Sequence, residues 1–323
     1  MLIGVSILTF FIIRLAGNPA FQYLPAHPNP QQIEGVIKQY HLDEPVYVQY
    51  FYWANGVLHG DLGWSKTAKM SVSDAIGQKF PATFELALLS TAIAVAIGIF
   101  MGTRAAVHAN SAEDQGARLV ALVGVSLPVF WLGLILLMVF YAGLHVLPSP
   151  DGQASLHFDP STLRVHTHFL LIDTLLSGNV PYFVDVVAHL ILPSITLAFA
   201  STAIIIRMMR SSMLEVLGSE YVRTARSKGL PESVVIRKHA RRNALIPTTT
   251  VIGLTFGGLL SGAVLTETVF SWGGLGQWAG DAAQNLDTAG IMGFTLLTAI
   301  VYVLANLVVD VVYAFLDPRV RLG

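Results

Sequence analysis

Between Leu86 and Gly102 no residue carries a charge, and few structures accept such a run. A bilayer core takes about 20 apolar residues in a helix. Inside it every backbone N–H and C=O must be paired, which leaves helices and closed barrels as the spanning structures. The other apolar segments of this chain are likewise long and uninterrupted, without the alternation of a barrel strand. Only 12% of the residues are charged, about half the share in a soluble domain. The expected fold class is an all-α polytopic membrane protein with six transmembrane helices. The absence of cysteine excludes disulfides, thiolate-bound zinc and thiol catalysis.

The expected spans are Met1–Ile13, Phe84–Thr103, Leu119–Leu144, Val186–Ile206, Ala244–Thr266 and Thr288–Val309. The first is short and closed by Arg14, and it reads as a signal anchor more than a cleaved leader. Either Arg14 snorkels to the outer interface or the sequence omits upstream residues. Pro128 is expected to kink the third span, and Pro193 falls in the first turns of the fourth. In the fifth, the Gly253–Gly257 spacing lets another helix approach closely. A division follows: a first helix over 1–16, an external segment over 17–80 and a five-helix core over 81–323 that contains a cytoplasmic loop at 207–247.

Charge orients the chain. From Arg207 to Arg242 there are nine of the nineteen Lys and Arg residues, against the acids Glu215, Glu220 and Glu232. Arg104 and Arg118 lie in a second short loop, and Arg319 and Arg321 in the tail. The opposite side has Arg164 and no basic residue between Glu267 and Asp287. The positive-inside rule then places both termini in the cytoplasm. Externally, a helix is expected over Gln31–Tyr40, an interfacial aromatic helix around Tyr47–Trp53, a tight turn at His59–Gly63 and a short helix over Phe169–Leu176.

The basic loop has its own architecture. Ser219–Lys228 suits a helix that Gly229 ends in the left-handed conformation. Pro231 and Glu232 suit the start of a second helix, expected to run to about Arg242. The pair would form a knob, with Ala225 and Gly229 keeping one surface small enough for a cleft on another protein to grip. A simple anchor for anionic lipid headgroups would need the charge alone.

Glu220-Tyr-Val-Arg-Thr-Ala-Arg-Ser-Lys-Gly-Leu230, followed by His239-Ala-Arg-Arg-Asn-Ala-Leu-Ile-Pro247, resembles the EAA loop of binding-protein-dependent ABC importer permeases. Within that family it is most similar to the dipeptide/oligopeptide group. Stretches at 42–65, 189–199, 262–276 and 310–320 carry the resemblance over most of the chain. Arg223 stands where the general motif has glutamate, and the usual basic lead-in before the first span is missing. The resemblance implies the type I ABC importer permease fold in the cytoplasmic (inner) cell membrane, and a subunit that moves di- or oligopeptides delivered by an extracytoplasmic peptide-binding protein. It implies as partners a second homologous permease and one or two ABC ATPase subunits, besides membrane lipid and without nucleic acid. The coupling residues it points to are Glu220, Tyr221, Arg223, Thr224, Ala225, Lys228, Gly229 and Pro247. The chain contains no G-x-x-x-x-G-K-[ST] phosphate loop. A non-catalytic subunit without a cofactor of its own is therefore expected, with ATP and Mg²⁺ used by the partner ATPase. Nickel chelate or glutathione would suit the same machinery as cargo.

Thr255 and Ser261 are candidates for the translocation path. Asn306, Asp310, Tyr313 and Asp317 share a helical face. Asp310 is expected to serve packing or to pair with an arginine such as Arg207, and in an ion-coupled secondary carrier it would be the coupling acid. His189 reads as structural. His145, His157, His166 and His168 lie on an irregular loop and make a poor metal set. Trp272 and Trp278 are expected in the interfacial belt. No arrangement suits hydrolysis.

Overall fold

The computed structural model describes residues 1–16, 20, 24, 28–39, 41–158, 163, 167–261 and 263–316, with the backbone alone at 16 and 313–316. Helix α1 (Leu2–Ala16) is followed by the short helices α2 (Pro30–Gln39) and α3 (Val46–Leu58) and a hairpin of β1 (Trp64–Ser65) and β2 (Met70–Ser71). Then come α4 (Val72–Val107), α5 (Ala112–Ser126), α6 (Val129–Leu136), α7 (Leu170–Leu176) and α8 (Val180–Leu217). A π-helical turn at Leu137–Gly143 extends α6. The C-terminal half holds α9 (Glu220–Ser227), α10 (Glu232–Val234), α11 (Arg241–Leu260), α12 (Val264–Val269), α13 (Leu275–Gln284) and α14 (Thr288–Leu316).

Four helical segments are long and apolar enough to cross a membrane: α4, α8, Glu232–Leu260 and α14 up to Val312. The pair formed by α5 and by α6 with its π turn makes a fifth if taken as one span, and α1 is a shorter apolar helix. The expected kink at Pro128 is corrected to a break, since the helix direction bends by 103° there. Its cause is local: proline clashes with an α conformation in the residue before it, and Leu127 is extended at φ −87°, ψ 131°. The fifth span ends at Leu260, before the expected Thr266. The second and fourth begin earlier than expected, at Val72 and Val180, where the side chains of Ser71 and Asn179 cap the first turns. Pro193 consequently sits well inside α8. The expected boundary at 80/81 falls within α4.

Helix α8 is the axis, with 72% of its most apolar window buried. Small residues let its neighbours close on it, as helices must where lipid gives no hydrophobic push. A Cβ added to Gly98 or Gly102 of α4 would lie 2.6 Å from Ile205 and 2.7 Å from Met209, so the two helices run parallel. In antiparallel α5, Gly124 abuts Ala203 while Asp114 meets Arg210. Helix α11 also runs antiparallel to α8 and carries α14 on its other side. A Cβ on Gly253 would come within 1.8 Å of Val309, and one on Gly257 within 3.0 Å of Ala305. The Gly253–Gly257 spacing therefore acts at a close helix crossing.

Two buried carboxylates tie the short elements to the spans. Asp287 accepts from Ser65 Oγ at 2.5 Å, Thr67 N at 3.0 Å and Gly290 N at 2.9 Å. Glu267 accepts from Thr83 Oγ1 at 2.8 Å and Gln277 N at 3.0 Å. Trp272 and Trp278 leave the expected interfacial belt for the core, 1% and 2% exposed. Their indole N–H groups donate to Ala82 O at 2.9 Å and Ser65 Oγ at 3.2 Å, which satisfies the one polar atom each would otherwise strand. The aromatic helix α3 divides into two faces. Tyr50 and Trp53 pack on Phe10 of α1, while Tyr47, Phe51 and Tyr52 are exposed.

Candidate functional site

The basic loop folds into two short helices around an elbow. Ser219 is extended, so α9 starts at Glu220, whose charge suits the N-terminal dipole. One face of α9 turns inward, where Val222, Ala225 and Val235 are buried with Val216 against them. The expected place of Ala225 on the gripped surface is thereby corrected. It is 6% exposed and fills the knob's own core, where a larger side chain would push α9 away from Val235. Glu220, Tyr221, Arg223, Thr224, Lys228 and Gly229 are exposed together.

The elbow is set by Gly229 at φ +72°. No atom lies within 4 Å of a Cβ added there, so the backbone conformation, and not crowding, calls for glycine. Lys228 is the C-cap, and the Gly229 N–H donates to Arg226 O at 2.9 Å. Across the elbow Arg226 holds Glu232 through two hydrogen bonds of 3.1 and 2.7 Å. Arg223 pairs with Glu220 at 3.0 Å, with both side chains largely in solvent. Among the described residues Lys228, Arg237, Lys238, Arg241 and Arg242 take part in no ion pair, so the knob and its stem carry unbalanced positive charge.

Pro231 precedes α10, and Val235–Ala240 forms a second π-helical turn that leads without a gap into α11. The expected end near Arg242 is corrected, since the second helix of the knob and the fifth span are one helical segment, Glu232–Leu260. Pro247 lies inside that segment, apart from the exposed group on α9. Thr255 and Ser261 stand further along, half-buried, with their hydroxyls donated to Val251 O at 2.7 Å and Gly257 O at 2.8 Å.

Asp310 is exposed on α14, and neither it nor Arg207 joins an ion pair among the described residues, so of the two expected roles the pairing is not seen. The Tyr313 side chain and Asp317 lie outside the described residues. His189 is buried and turned back along α8, with Nδ1 2.8 Å from Asp185 O. Among the described residues no three His, Cys, Asp or Glu side chains come together to hold a metal, and His166 lies outside them. The Arg226–Glu232 and Asp114–Arg210 pairs were missed in the sequence. Only the first left a signal there, a basic and an acidic residue flanking a Gly-Leu-Pro turn.

The chain is thus a multi-spanning helical protein with a basic two-helix knob stemming from one span. The model of the family described as binding-protein-dependent transport system inner membrane component matches residues 94–322, and the chain belongs to that family. It is 43% identical over 321 residues to the probable D,D-dipeptide transport system permease protein DdpB of Escherichia coli, covering 99% of this chain and 94% of that one. To the di/tripeptide transport system permease protein DppB of Pseudomonas aeruginosa it is 44% identical, covering 98% and 94%. To the oligopeptide transport system permease protein AppB of Bacillus subtilis it is 36% identical, covering 99% and 95%. Among solved structures it is similar in fold to the inward-facing MetNI methionine ABC transporter, with a TM-score of 0.54, 16% identity and coverage of 75% and 96%. The fold is that of a type I importer permease.

Proposed function

We propose that the chain is the permease subunit of an ATP-driven importer of di- or oligopeptides, fed by an extracytoplasmic binding protein. Relatives named for dipeptide and oligopeptide transport, aligned with nearly the whole chain, support the cargo class. The observation that carries the mechanism is the exposed knob at Glu220–Gly229, whose second helix runs unbroken into the fifth span. The knob docks on a separate ATPase subunit, and closure of the ATPase pair displaces α11 and alters the path between this chain and a second permease. Glu220, Tyr221, Arg223, Thr224, Lys228 and Gly229 form the contact surface, and Ala225 supports it from beneath. Pro247 lies where the moving segment gives up a backbone hydrogen bond. Thr255 and Ser261 line the path beyond it. The subunit itself catalyses nothing. Both termini face the cytoplasm, consistent with the charge of the short loops.

The test is charge reversal at exposed positions. Arg223→Glu with Lys228→Glu leaves membrane insertion intact, abolishes peptide uptake and weakens co-purification of the ATPase. Undiminished ATPase binding would overturn the docking role. A cysteine replacing Lys228 is labelled from the cytoplasmic side, and labelling from outside would reverse the topology.

A further inference from the structure

The cytoplasmic half of α4 leaves one face uncovered beside the stem of the knob. Val95, Ile99 and Thr103 follow one another at four-residue spacing, so they form a single line along the helix. Phe100 flanks them, 60% exposed. Ile236 and Arg241 close the far side, and Arg104 stands at the cytoplasmic end of an open groove of about 600 Å³. From Val95 to Arg104 the helix rises about 13 Å.

The two ends of this groove differ. Its length along Val95–Phe100 offers apolar walls. Its cytoplasmic end carries Arg104, His108 and Arg241, against the single acid Glu113. Arg104 donates to Glu113 at 2.9 and 2.6 Å, and those two charges offset each other. Arg241 is in no ion pair among the described residues, so the end keeps an unbalanced cation. The Thr103 hydroxyl oxygen is buried there and has no hydrogen-bond partner.

A water-soluble anion would leave the apolar wall empty, and a zwitterionic lipid would gain little from Arg241. An amphiphile with an anionic head and an apolar tail matches both ends, and a membrane always supplies it at this depth. We propose that the groove is a site for an anionic phospholipid, with one acyl chain along Val95–Phe100 and the phosphate between Arg104 and Arg241.

The transporter, co-expressed with its partner subunits and extracted in mild detergent, is incubated with phosphatidylglycerol or phosphatidylcholine vesicles of identical acyl chains. Retained lipid is counted by native mass spectrometry. Phosphatidylglycerol is retained preferentially, and Arg241→Gln lowers its retention about fivefold without changing that of phosphatidylcholine. Ile99→Trp, which changes no charge, fills the groove and reduces the retained phosphatidylglycerol. Equal retention of both lipids, or no effect of Arg241→Gln, would overturn the site. A cysteine replacing Phe100 that cross-links to another membrane subunit would overturn it too, by assigning the groove to a protein interface.

Discussion

The guanidinium of Arg210 grips the carboxylate of Asp114 through two hydrogen bonds, 2.5 Å from Nε and 2.8 Å from Nη2. Asp114 is completely buried and also accepts from Asn110 N at 2.9 Å. The pair joins the first turn of α5 to the C-terminal part of α8. Removing the cation strands a buried charge, which costs about 3–5 kcal/mol. Arg210→Ala therefore lowers thermal stability in detergent strongly, and Asp114→Ala with Arg210→Ala costs less than the sum of the single changes. Additive losses would show that the contact contributes nothing of its own.

Gly253 faces Val309 with no room for a side chain. Gly253→Ala forces α11 and α14 apart and costs about 1–3 kcal/mol. Val309→Ala in the same chain restores part of the loss, because it removes the methyl groups that collide. A melting temperature unmoved by Gly253→Ala would contradict the crossing described between these helices.

At Gly229 the strain is in the backbone. Gly229→Ala imposes a side chain on a left-handed residue at a cost of about 1–2 kcal/mol, and Gly229→Asn costs less because asparagine tolerates that conformation. Space is not limiting, so the ranking Gly, then Asn, then Ala is expected for knob integrity, read by proteolysis of the 217–241 region. An Ala variant as resistant as the parent would mean the elbow is held by Arg226 and Glu232 alone.

Burial pushes the Glu267 carboxyl above the ordinary range, opposed by donors from Gln277 N, Thr83 Oγ1 and Gly276 N and by the charge of Lys79. The folded state thus binds this proton more tightly than the unfolded chain does. Any such group lowers stability as pH rises from the unfolded value, near 4.3 for glutamate, through the raised folded value. Glu267→Gln removes this dependence. The parent's melting temperature should therefore gain on the variant's as pH falls from 8 to 5. A constant difference across that range would exclude the linkage.

Much of this was legible in the sequence because the signals were local. The charge-free run at Leu86–Gly102 needs no tertiary context to specify a span, and Gly229 between a basic helix and Pro231 specifies the elbow. What stayed hidden depends on distant partners. Trp272 resembles an interfacial residue until Ala82 O accepts its N–H. Ala225 looks like an open face until Val235 covers it. The break at Leu127–Pro128 was half visible, because a proline announces a disturbance while the surrounding packing decides between a kink and a corner.

The unbroken segment from Glu232 to Leu260 has Pro247 near its middle, which would make it a lever with two arms of similar length. At 1.5 Å per residue the segment is about 43 Å long, with about 20 Å of it beyond Pro247, so a rocking of about 10° there sweeps the far tip by about 3 Å. Because Gly253 and Gly257 mesh with Val309 and Ala305 on the far arm, such a sweep would be geared to α14. Under the proposed function, a push of a few ångströms on the knob would emerge, reversed in direction, at the far end of the segment.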